Sequence, residues 1–575
     1  MRPLRGCRNS GVSENTAEAE PERDGRTDSG PLVLGPVLRH VDENSAVVWL
    51  EVQRPASVSV RAGGRTWATR TFRVHGHSYA LLDVDGLAPG DSLPYEVFVE
   101  DVRVWPEPGS PFPPSRIRTL DPGRDPRLLY GSCRTSVSHD HEGNAKHGVD
   151  ALRAYALRLT GEPEERWPDL VLFLGDQVYA DETNDAMRDF IASRRDIDEP
   201  PGEELADYEE YAHLYSLAWF DPANRWLLST VPSAMIFDDH DVRDDWNTSE
   251  VWREDIAKVP WWKGRITAAL ASYWVYQHLG NLSPSEREQD EVWQQVRDLG
   301  PDGDAGELLD RFAQRADAHP DTYRWSHARR LGDTRVVVID TRAARVLRDG
   351  QRAMLDPVEL DWLDEQMQGE CDHLVVGSSL PFLMPVGLHH IEAWNEAVAQ
   401  GSWGQRWRGW GEKIRQGADL EHWAAFERSF RRVATMAVEV AEGRRGAAPA
   451  TVIFLGGDVH HSYLSEVDLP GRPAAGRVLQ AVCSPIRNPL PAPVRLGLGI
   501  ASSPRAWGLI RLARSAKVPD PPIRWTVLEG PWFDNNIATL AVRGRALELM
   551  WERGVVRGDD DEHPGVEVVR DVRIG

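Results

Sequence analysis

Residues 452–460, VIFLGGDVH, run from four consecutive apolar residues into two glycines, an aspartate and a histidine. An uninterrupted apolar run of this length, without alternating polar residues, is typical of a strand buried on both faces. We therefore expect a strand inside a parallel sheet, with the polar residues just beyond its carboxyl end.

The same pattern occurs five more times along the chain. Apolar runs end abruptly at Leu128–Tyr130 before Gly131-Ser132-Cys133, Leu170–Leu174 before Gly175-Asp176, Ala234–Phe237 before Asp238–Asp241, Val336–Ile339 before Asp340–Arg342, and Leu374–Val376 before Gly377–Ser379. Helix-start patterns at Ser283–Glu286 and Asp356–Glu359, and an amphipathic stretch at Ala418–Glu442 that we interpret as one long helix, lie between the runs. Strands separated by helices predict a layered α/β fold, in which ligands bind beyond the strand carboxyl ends.

The chain divides into three parts by composition. Residues 1–30 are polar and without periodicity, which predicts a disordered tail. Residues 31–122 contain short β runs separated by turn signals, and the segment Gly86–Gly90 followed by Tyr95 resembles a corner of fibronectin type III domains. We therefore predict a small all-β sandwich there, followed by the α/β domain over residues 123–575.

Composition excludes several classes of protein. The 575 residues carry a formal net charge of -24, which argues against a nucleic-acid scaffold as partner. Four scattered cysteines without a CxxC pair do not form a disulfide framework. The sequence has no apolar stretch long enough to span a membrane, no secretory signal and no twin arginine, so we expect a cytoplasmic protein.

The polar residues after the predicted strands form an unusual set. It comprises Cys133, Asp176, Tyr179, Asp239, His240, Asp458 and His460. Taken singly, each has an ordinary alternative: an inert cysteine, a helix cap, a solvated acidic loop or a structural histidine. Taken together, thiol, phenol, carboxylate and imidazole groups suit a transition metal beside a harder, oxygen-ligated cation.

Four motifs in this order resemble the PhoD-like alkaline phosphatases, a branch of the calcineurin-like metallophosphoesterases. They are GSCR (131–134), GDQVY (175–179), DDHD (238–241) and GGDVH (456–460). The resemblance covers about residues 123–575 and implies a four-layer αββα sandwich preceded by a small all-β (fibronectin III or Ig-like) sandwich.

The resemblance also implies site residues and cofactors. Cys133, Asp176 and Tyr179 would hold Fe³⁺, and Asp176 would bridge to a second cation, for which Ca²⁺ is implied and other divalent metals are possible. Asp239 would bind the second cation, and Asp458 and His460 would be further metal ligands. His240 would contact the substrate or leaving group. Ser378 and Ser379 stand where the wider superfamily often has a further histidine ligand.

The implied reaction is hydrolysis of phosphomonoesters or phosphodiesters by a metal-bound hydroxide, on a phosphorylated small-molecule or lipid-like substrate. Arg134 and Arg342 are candidates to bind phosphate oxygens, and an equally good alternative places both in salt bridges beside the site. A catalytically weak binding protein that retains the fold and a metal-dependent esterase for a phosphate-free substrate remain alternatives. The all-β region offers no cluster of ligands, so we expect it not to be catalytic.

The segment 484–519 is basic and has no acidic residue, although the chain is acidic as a whole. It predicts a helix that joins the core and pairs its arginines with the acidic body. A flap that steers anionic substrates, or contact with an anionic membrane, are the alternatives.

Overall fold

The computed structural model describes residues 30–348, 350–469, 476–491, 495 and 507–575. The tail predicted for residues 1–30 lies outside these ranges except for its last residue. Part of the segment 484–519, including Arg505, also lies outside them.

Residues 32–118, all of them described, form nine strands and no helix. The strands are β1 Leu32–Val41, β2 Ala46–Val52, β3 Ser57–Ala62, β4 Arg65–Arg70, β5 Phe72–Val74, β6 His77–Val84, β7 Ser92–Val99, β8 Val102–Trp105 and β9 Arg116–Arg118. They form two antiparallel sheets, in the orders β1-β2-β6-β5 and β4-β3-β7-β8, with β9 pairing to β7. Leu38 and Val48 from one sheet share a buried core with Val60 and Val97 from the other, so the two sheets pack face to face.

The described part of residues 123–575 contains thirteen further strands. They are β10 Arg127–Gly131, β11 Leu170–Leu174, β12 Ser233–Ile236, β13 His327–Leu331, β14 Thr334–Ile339, β15 His373–Ser378, β16 Thr451–Gly456, β17 Ser462–Asp468, β18 Arg477–Val482, β19 Arg524–Trp532, β20 Asn536–Arg543, β21 Ala546–Arg557 and β22 Asp560–Ile574. One sheet has the order β12-β11-β10-β20-β21-β22 and the other β13-β14-β15-β16-β18-β17-β19. Strands β10, β11 and β12 are parallel, as are β14, β15, β16 and β18.

Alternate residues of β14 face two different cores. Val336 and Val338 lie in a core that also contains Leu172 of the six-stranded sheet. Val337 and Ile339 lie in a second core with residues of the helices beyond. The seven-stranded sheet therefore packs against the six-stranded sheet on one face and against helices on the other. All six strands predicted from the apolar runs are present and almost entirely buried.

The described residues form fifteen α-helices. They are α1 His141–His147, α2 Ala151–Leu159, α3 Asp185–Arg194, α4 Tyr208–Trp219, α5 Pro222–Thr230, α6 Glu250–Ile256, α7 Trp262–Tyr273, α8 Pro284–Gln289, α9 Glu291–Asp298, α10 Gly306–Ala318, α11 Pro357–Gln366, α12 Val386–Ala399, α13 Arg408–Gly417, α14 Glu427–Ala441 and α15 Trp507–Ser515. A π-helical turn, Trp274–His278, extends α7. None of the helices in the described ranges is long and apolar enough to cross a membrane.

The predicted helix starts are confirmed: Ser283 forms a capping box with Glu286, and the Asp356 carboxylate caps α11. The single helix predicted over Ala418–Glu442 is wrong. A 3₁₀ turn at Trp423–Phe426 precedes α14, which begins only at Glu427. Residues 418–422, before that turn, are not helical, and Glu421 and His422 among them are buried at the site described below.

The described part of the basic segment supports a core helix. Ala513 of α15, and Ala516 just after it, share a small core with Trp394 and Val398 of α12. The fully buried Arg487 donates hydrogen bonds to main-chain carbonyls, including that of Val137.

Candidate metal centre

The loops that follow the parallel strands of both sheets meet at one place. Cys133 follows β10, Asp176 follows β11, and Asp458 and His460 follow β16. All four have positive φ angles, of 56°, 41°, 62° and 49°. Non-glycine residues rarely adopt this conformation, and such strain concentrates at functional sites.

Two glycines let these loops approach closely. A Cβ atom at Gly175 would lie 2.8 Å from the Cβ of Asp238 and 3.1 Å from that of Ser379. A Cβ atom at Gly457 would collide with the Leu174 carbonyl oxygen and with Ser132. The glycines of the GD and GGD motifs are therefore needed to bring the strand ends of the two sheets together.

The first group of ligand atoms comes from Cys133, Asp176 and His460, and these atoms lie within 4.8 Å of one another. Burial raises the pKa of the Cys133 thiol well above its usual value and lowers that of His460 to about 4. The Ser484 hydroxyl donates a hydrogen bond to the Cys133 sulfur at 3.3 Å. The Tyr179 hydroxyl donates to Oδ2 of Asp176 at 3.3 Å, which brings the predicted phenol ligand to the same group.

The second group comes from Asp176, Asp238, Asp239 and Asp458, again within 4.8 Å of one another. Among the described residues, Oδ1 of Asp176 and Oδ2 of Asp238 are buried and have no hydrogen-bond partner. Burial raises the pKa of Asp176 and Asp238 well above the usual range and that of Asp239 to about 6. Buried carboxylate oxygens left without partners are the condition that a bound cation relieves, so this set fits cation binding, and Asp176 belongs to both groups.

Arg342 supplies positive charge beside the second group. Its side chain is fully buried, and its guanidinium bonds the carboxylates of Asp238 and Glu421. Its Nη2 lies 3.2 Å from Oδ1 of Asp239 and 4.0 Å from Oδ1 of Asp458. The salt-bridge alternative therefore describes Arg342 in this structure.

The side chain of Arg134 bonds residues outside the two groups of ligand atoms. Its Nε donates to Oδ2 of Asp150 at 2.9 Å and its Nη1 to the Ala218 carbonyl at 2.6 Å. Its own backbone N–H bonds the Asp176 carbonyl at 3.2 Å. The salt-bridge alternative also describes this arginine, and its backbone helps to hold the Asp176 loop.

His240 lies at the edge of the second group. Its Nδ1 is 2.9 Å from Oδ1 of Asp181, and its ring packs over Tyr179 at 4.7 Å between centroids. Although burial lowers it, the carboxylates of Asp181, Asp239 and Asp176 raise the pKa of His240 well above its usual value. These carboxylates favour the protonated form of the ring, which is the form able to donate a proton.

Sequence reasoning missed the buried partners that orient Asp458. Nε2 of His422 is 3.0 Å from Oδ2 of Asp458, and Nδ1 of the same ring is 2.9 Å from Oε1 of Glu392. Although burial raises it, His422 and Arg342 hold the pKa of Asp458 below its usual range. Nothing in the local sequence around His422 or Glu392 marks either residue as a neighbour of the GGDVH motif.

Ser378 and Ser379 form hydrogen bonds with neighbouring loop residues. The Ser379 hydroxyl is 2.8 Å from that of Thr341, and the Ser379 carbonyl accepts the Gly457 N–H at 2.8 Å. Ser378 donates to the Leu380 carbonyl at 2.6 Å.

A further acidic group, Asp245, Asp419 and Glu421, lies nearby and was not predicted.

The chain is similar to a known protein family and to a solved structure. The model of the PhoD-like phosphatase family matches residues 153–496, and a domain of unknown function (DUF7800) matches residues 29–117. A solved structure of PhoD is 14% identical, covers 96% of this chain and 91% of its own, and has a TM-score of 0.56. The type III pullulan hydrolase from Thermococcus kodakarensis is 9% identical over 91% of this chain and 94% of its own, but its TM-score of 0.14 carries no argument. No curated protein matches the chain.

Proposed function

The chain belongs to the PhoD-like phosphatase family and is a phosphoric ester hydrolase, and we propose that it hydrolyses phosphomonoesters or phosphodiesters at two cation sites joined by Asp176. The observation that carries the proposal is the position of Asp176 in both groups of ligand atoms. A residue that belongs to both groups would hold two cations close together, as two-metal hydrolytic sites require.

The donor types suggest which cation each group holds. Cys133, Tyr179 and His460, together with Asp176, offer sulfur, phenol and imidazole donors, which favour a transition metal, here Fe³⁺. Asp176, Asp239 and Asp458 offer only carboxylate oxygens, which favour a hard cation, here Ca²⁺, with Asp238 close enough to contribute. When bound, the cations would neutralise the carboxylates, lower the pKa of water and stabilise charge on the phosphoryl oxygens.

The protein's own residues would act on the leaving group and on the loops. In hydrolysis, an oxygen from water bonds to phosphorus, the ester P–O bond breaks, and the leaving oxygen takes up a proton. His240 would supply that proton from Nε2, since its Nδ1 is engaged by Asp181. Arg342 would keep the carboxylates of the second group together rather than bind phosphate directly.

The finer architecture and the domain boundaries are also part of the proposal. The two cores that flank β14 support a four-layer αββα sandwich over residues 123–575. The two face-to-face sheets support an all-β sandwich over residues 31–122. The cytoplasmic location stays a prediction.

The family implies phosphorylated small-molecule substrates. To test the proposal, the purified chain is assayed on an aryl phosphate, an aryl phosphodiester and an aryl acetate. Each assay is run with the metals present on purification, after chelation, and after adding back Fe³⁺, Ca²⁺ or Zn²⁺. We expect turnover of phosphate esters that chelation abolishes and that iron with calcium restores. Hydrolysis of the acetate alone would favour the esterase alternative, and no turnover at all would favour the binding protein.

A further inference from the structure

The strand that leads into the DDHD motif lies at an edge of its sheet. β12, Ser233–Ile236, is the terminal strand of the six-stranded sheet, so one side of its backbone has no neighbouring strand in that sheet. An edge strand needs other partners for its N–H and C=O groups when it is buried. Since Asp238–Asp241 follow this strand directly, whatever fixes β12 also fixes the loop of the second group.

Asn281 takes the place of the missing strand. Its Oδ1 accepts the Met235 N–H at 3.0 Å, and its Nδ2 donates to the Met235 carbonyl at 2.7 Å. One side-chain amide thus satisfies both backbone groups of a residue in the middle of β12.

Arg39 reaches this point from the N-terminal β region, where it lies on β1. Its side chain is fully buried and donates to Oδ1 of Asn281 at 3.2 Å, to the Ser233 hydroxyl at 3.3 Å, and to the Gln277 carbonyl. A Cβ atom at Gly280 would collide with the Arg39 side chain, so a glycine is needed there. Burial of a guanidinium without a carboxylate is costly and requires well-placed acceptors, and those found here belong to β12 and the segment Gln277–Asn281.

A second path leads from the same segment to the DDHD loop. Nε2 of Gln277 donates to Oδ1 of Asp241 at 2.9 Å, and Oδ2 of Asp241 accepts the Asp238 N–H at 3.0 Å. Gln277 lies in the π-helical turn Trp274–His278, and such turns are frequent at functional sites. Arg39 therefore holds both the main chain of Gln277 and, through Asn281, the strand that precedes the loop.

We propose that the N-terminal β region, matched by a domain of unknown function, is a brace for the metal-binding loop Asp238–Asp241, acting through Arg39 and the segment Gln277–Asn281. In this role Arg39 and Gln277 are positioning residues, since both would act through the residues that they contact and neither belongs to a group of ligand atoms. The inference rests on the proposed function of that loop. It assigns the N-terminal region a role in positioning the loop, in addition to packing against the larger domain.

The test compares Arg39→Met and Gln277→Met with a matched control, Arg225→Met, in the full chain. Arg225 is another buried arginine at the same interface; it lies on α5, donates to the Gly35 carbonyl at 2.8 Å and pairs with Glu107 at 2.7 Å. Its contacts do not lead to the DDHD loop, so it reports the general cost of loosening the interface.

We expect Arg39→Met and Gln277→Met to lower kcat for an aryl phosphate by about 10- to 100-fold, the usual effect of losing a group that orients a metal ligand, with little change in KM. Amide hydrogen exchange should rise in residues 238–245 of both variants, but not in Arg225→Met. Arg39→Lys, which keeps a cationic donor, should recover part of the loss. If Arg39→Met fails to fold, Arg39→Lys carries the comparison against Arg225→Lys, because both keep the cation while disturbing the guanidinium contacts.

The brace is overturned if the wild type is active and both variants match Arg225→Met in kcat and in exchange over residues 238–245. It is also overturned if kcat falls equally in all three variants in proportion to thermal stability. An inactive wild type would instead overturn the proposed function together with the brace.

Discussion

The two groups of ligand atoms that meet at Asp176 differ in how the protein balances their charge. The first group adds a thiol, whose pKa burial raises, and an imidazole, whose pKa burial lowers, so burial favours the neutral form of both. The second gathers four carboxylates, with Arg342 among them as a buried counter-ion that also serves Glu421. We therefore expect donor type to select the cation of the first group, whereas the crowded buried carboxylates of the second favour a cation through the charge that it would neutralise.

The sharpest test of this comparison is to substitute Asp176, the residue that the two groups share. Asp176→Ala removes a donor from both, so we expect turnover to fall below detection and both metals to be lost on purification. Metal analysis and the aryl phosphate assay measure the two effects. Asp169→Ala is the control, because Asp169 flanks the opposite end of the same strand, where it pairs with Arg118 and Arg124. Loss of only one metal from Asp176→Ala would contradict the sharing.

Asp239→Ala should separate the two groups. Asp239 lies only in the second group, so we expect turnover to be lost together with one equivalent of cation, while the metal of the first group remains. Metal content per chain, measured after gel filtration in metal-free buffer, decides the outcome. Loss of both metals would show that the groups do not bind independently.

His240→Ala should reduce turnover without removing either metal. Proton donation by a positioned side chain contributes about 10² to 10⁴ in rate, and the imidazolium form of His240 suits that role. The loss should be large for an alkyl phosphate and much smaller for a nitrophenyl phosphate, whose leaving group needs no proton. Equal losses on the two substrates would contradict the proton-donor role.

Cys133→Ser tests the first group alone. The hydroxyl is a harder and less readily ionised donor than the thiol, so we expect weaker retention of the transition metal and unchanged binding of the hard cation. If iron is present, Tyr179 near the same group should give the wild type a visible charge-transfer band, which Cys133→Ser should weaken or shift. Analysis that finds zinc and no iron in the wild type would overturn the iron assignment.

The positions of these groups could be predicted from the sequence because parallel strands end at a common edge. Cys133, Asp176 and Asp458 follow uninterrupted apolar runs, which placed them beyond strand carboxyl ends. The family resemblance grouped them at one site, although their strands lie in two sheets. The side chains around them could not be predicted in the same way. Glu421 and His422 lie in a stretch whose amphipathic pattern indicated a helix, and only the folded chain shows that the helix begins later so that these residues can reach Arg342 and Asp458.

The contacts between the N-terminal region and the larger domain could not be predicted from the sequence either. The sequence showed no ligand cluster in residues 31–122, which led to the expectation of a region without a part in catalysis. That expectation concerns direct chemistry, and no ligand group includes a described residue of this region. Arg39 acts at a distance through partners more than 190 residues further along the chain, and no local pattern marks such a contact.

The smallest expected effect is the pH dependence of stability without metal. Burial raises the pKa of Asp239 to about 6 and that of Asp241 to about 7, against about 3.9 in an unfolded chain. Carboxyls with raised pKa values stabilise the fold fully below the unfolded value, and this contribution is lost as pH rises through about 6 to 7. Each pKa unit corresponds to about 1.4 kcal/mol, so the chelated protein should melt at a lower temperature at pH 8 than at pH 6.

Added Ca²⁺ should reverse this loss, because a cation takes over the role of the protons at the second group. The rise in Tm on adding Ca²⁺ should therefore be larger at pH 8 than at pH 5, as measured by calorimetry. Asp239→Asn isolates the contribution of one carboxyl: in chelator, its Tm relative to the wild type should increase with pH, since the amide does not ionise. A Tm difference that stays constant from pH 5 to pH 8 would mean that Asp239 is not held in an uncompensated acidic group, and the contrast between the two groups would then rest on donor type alone.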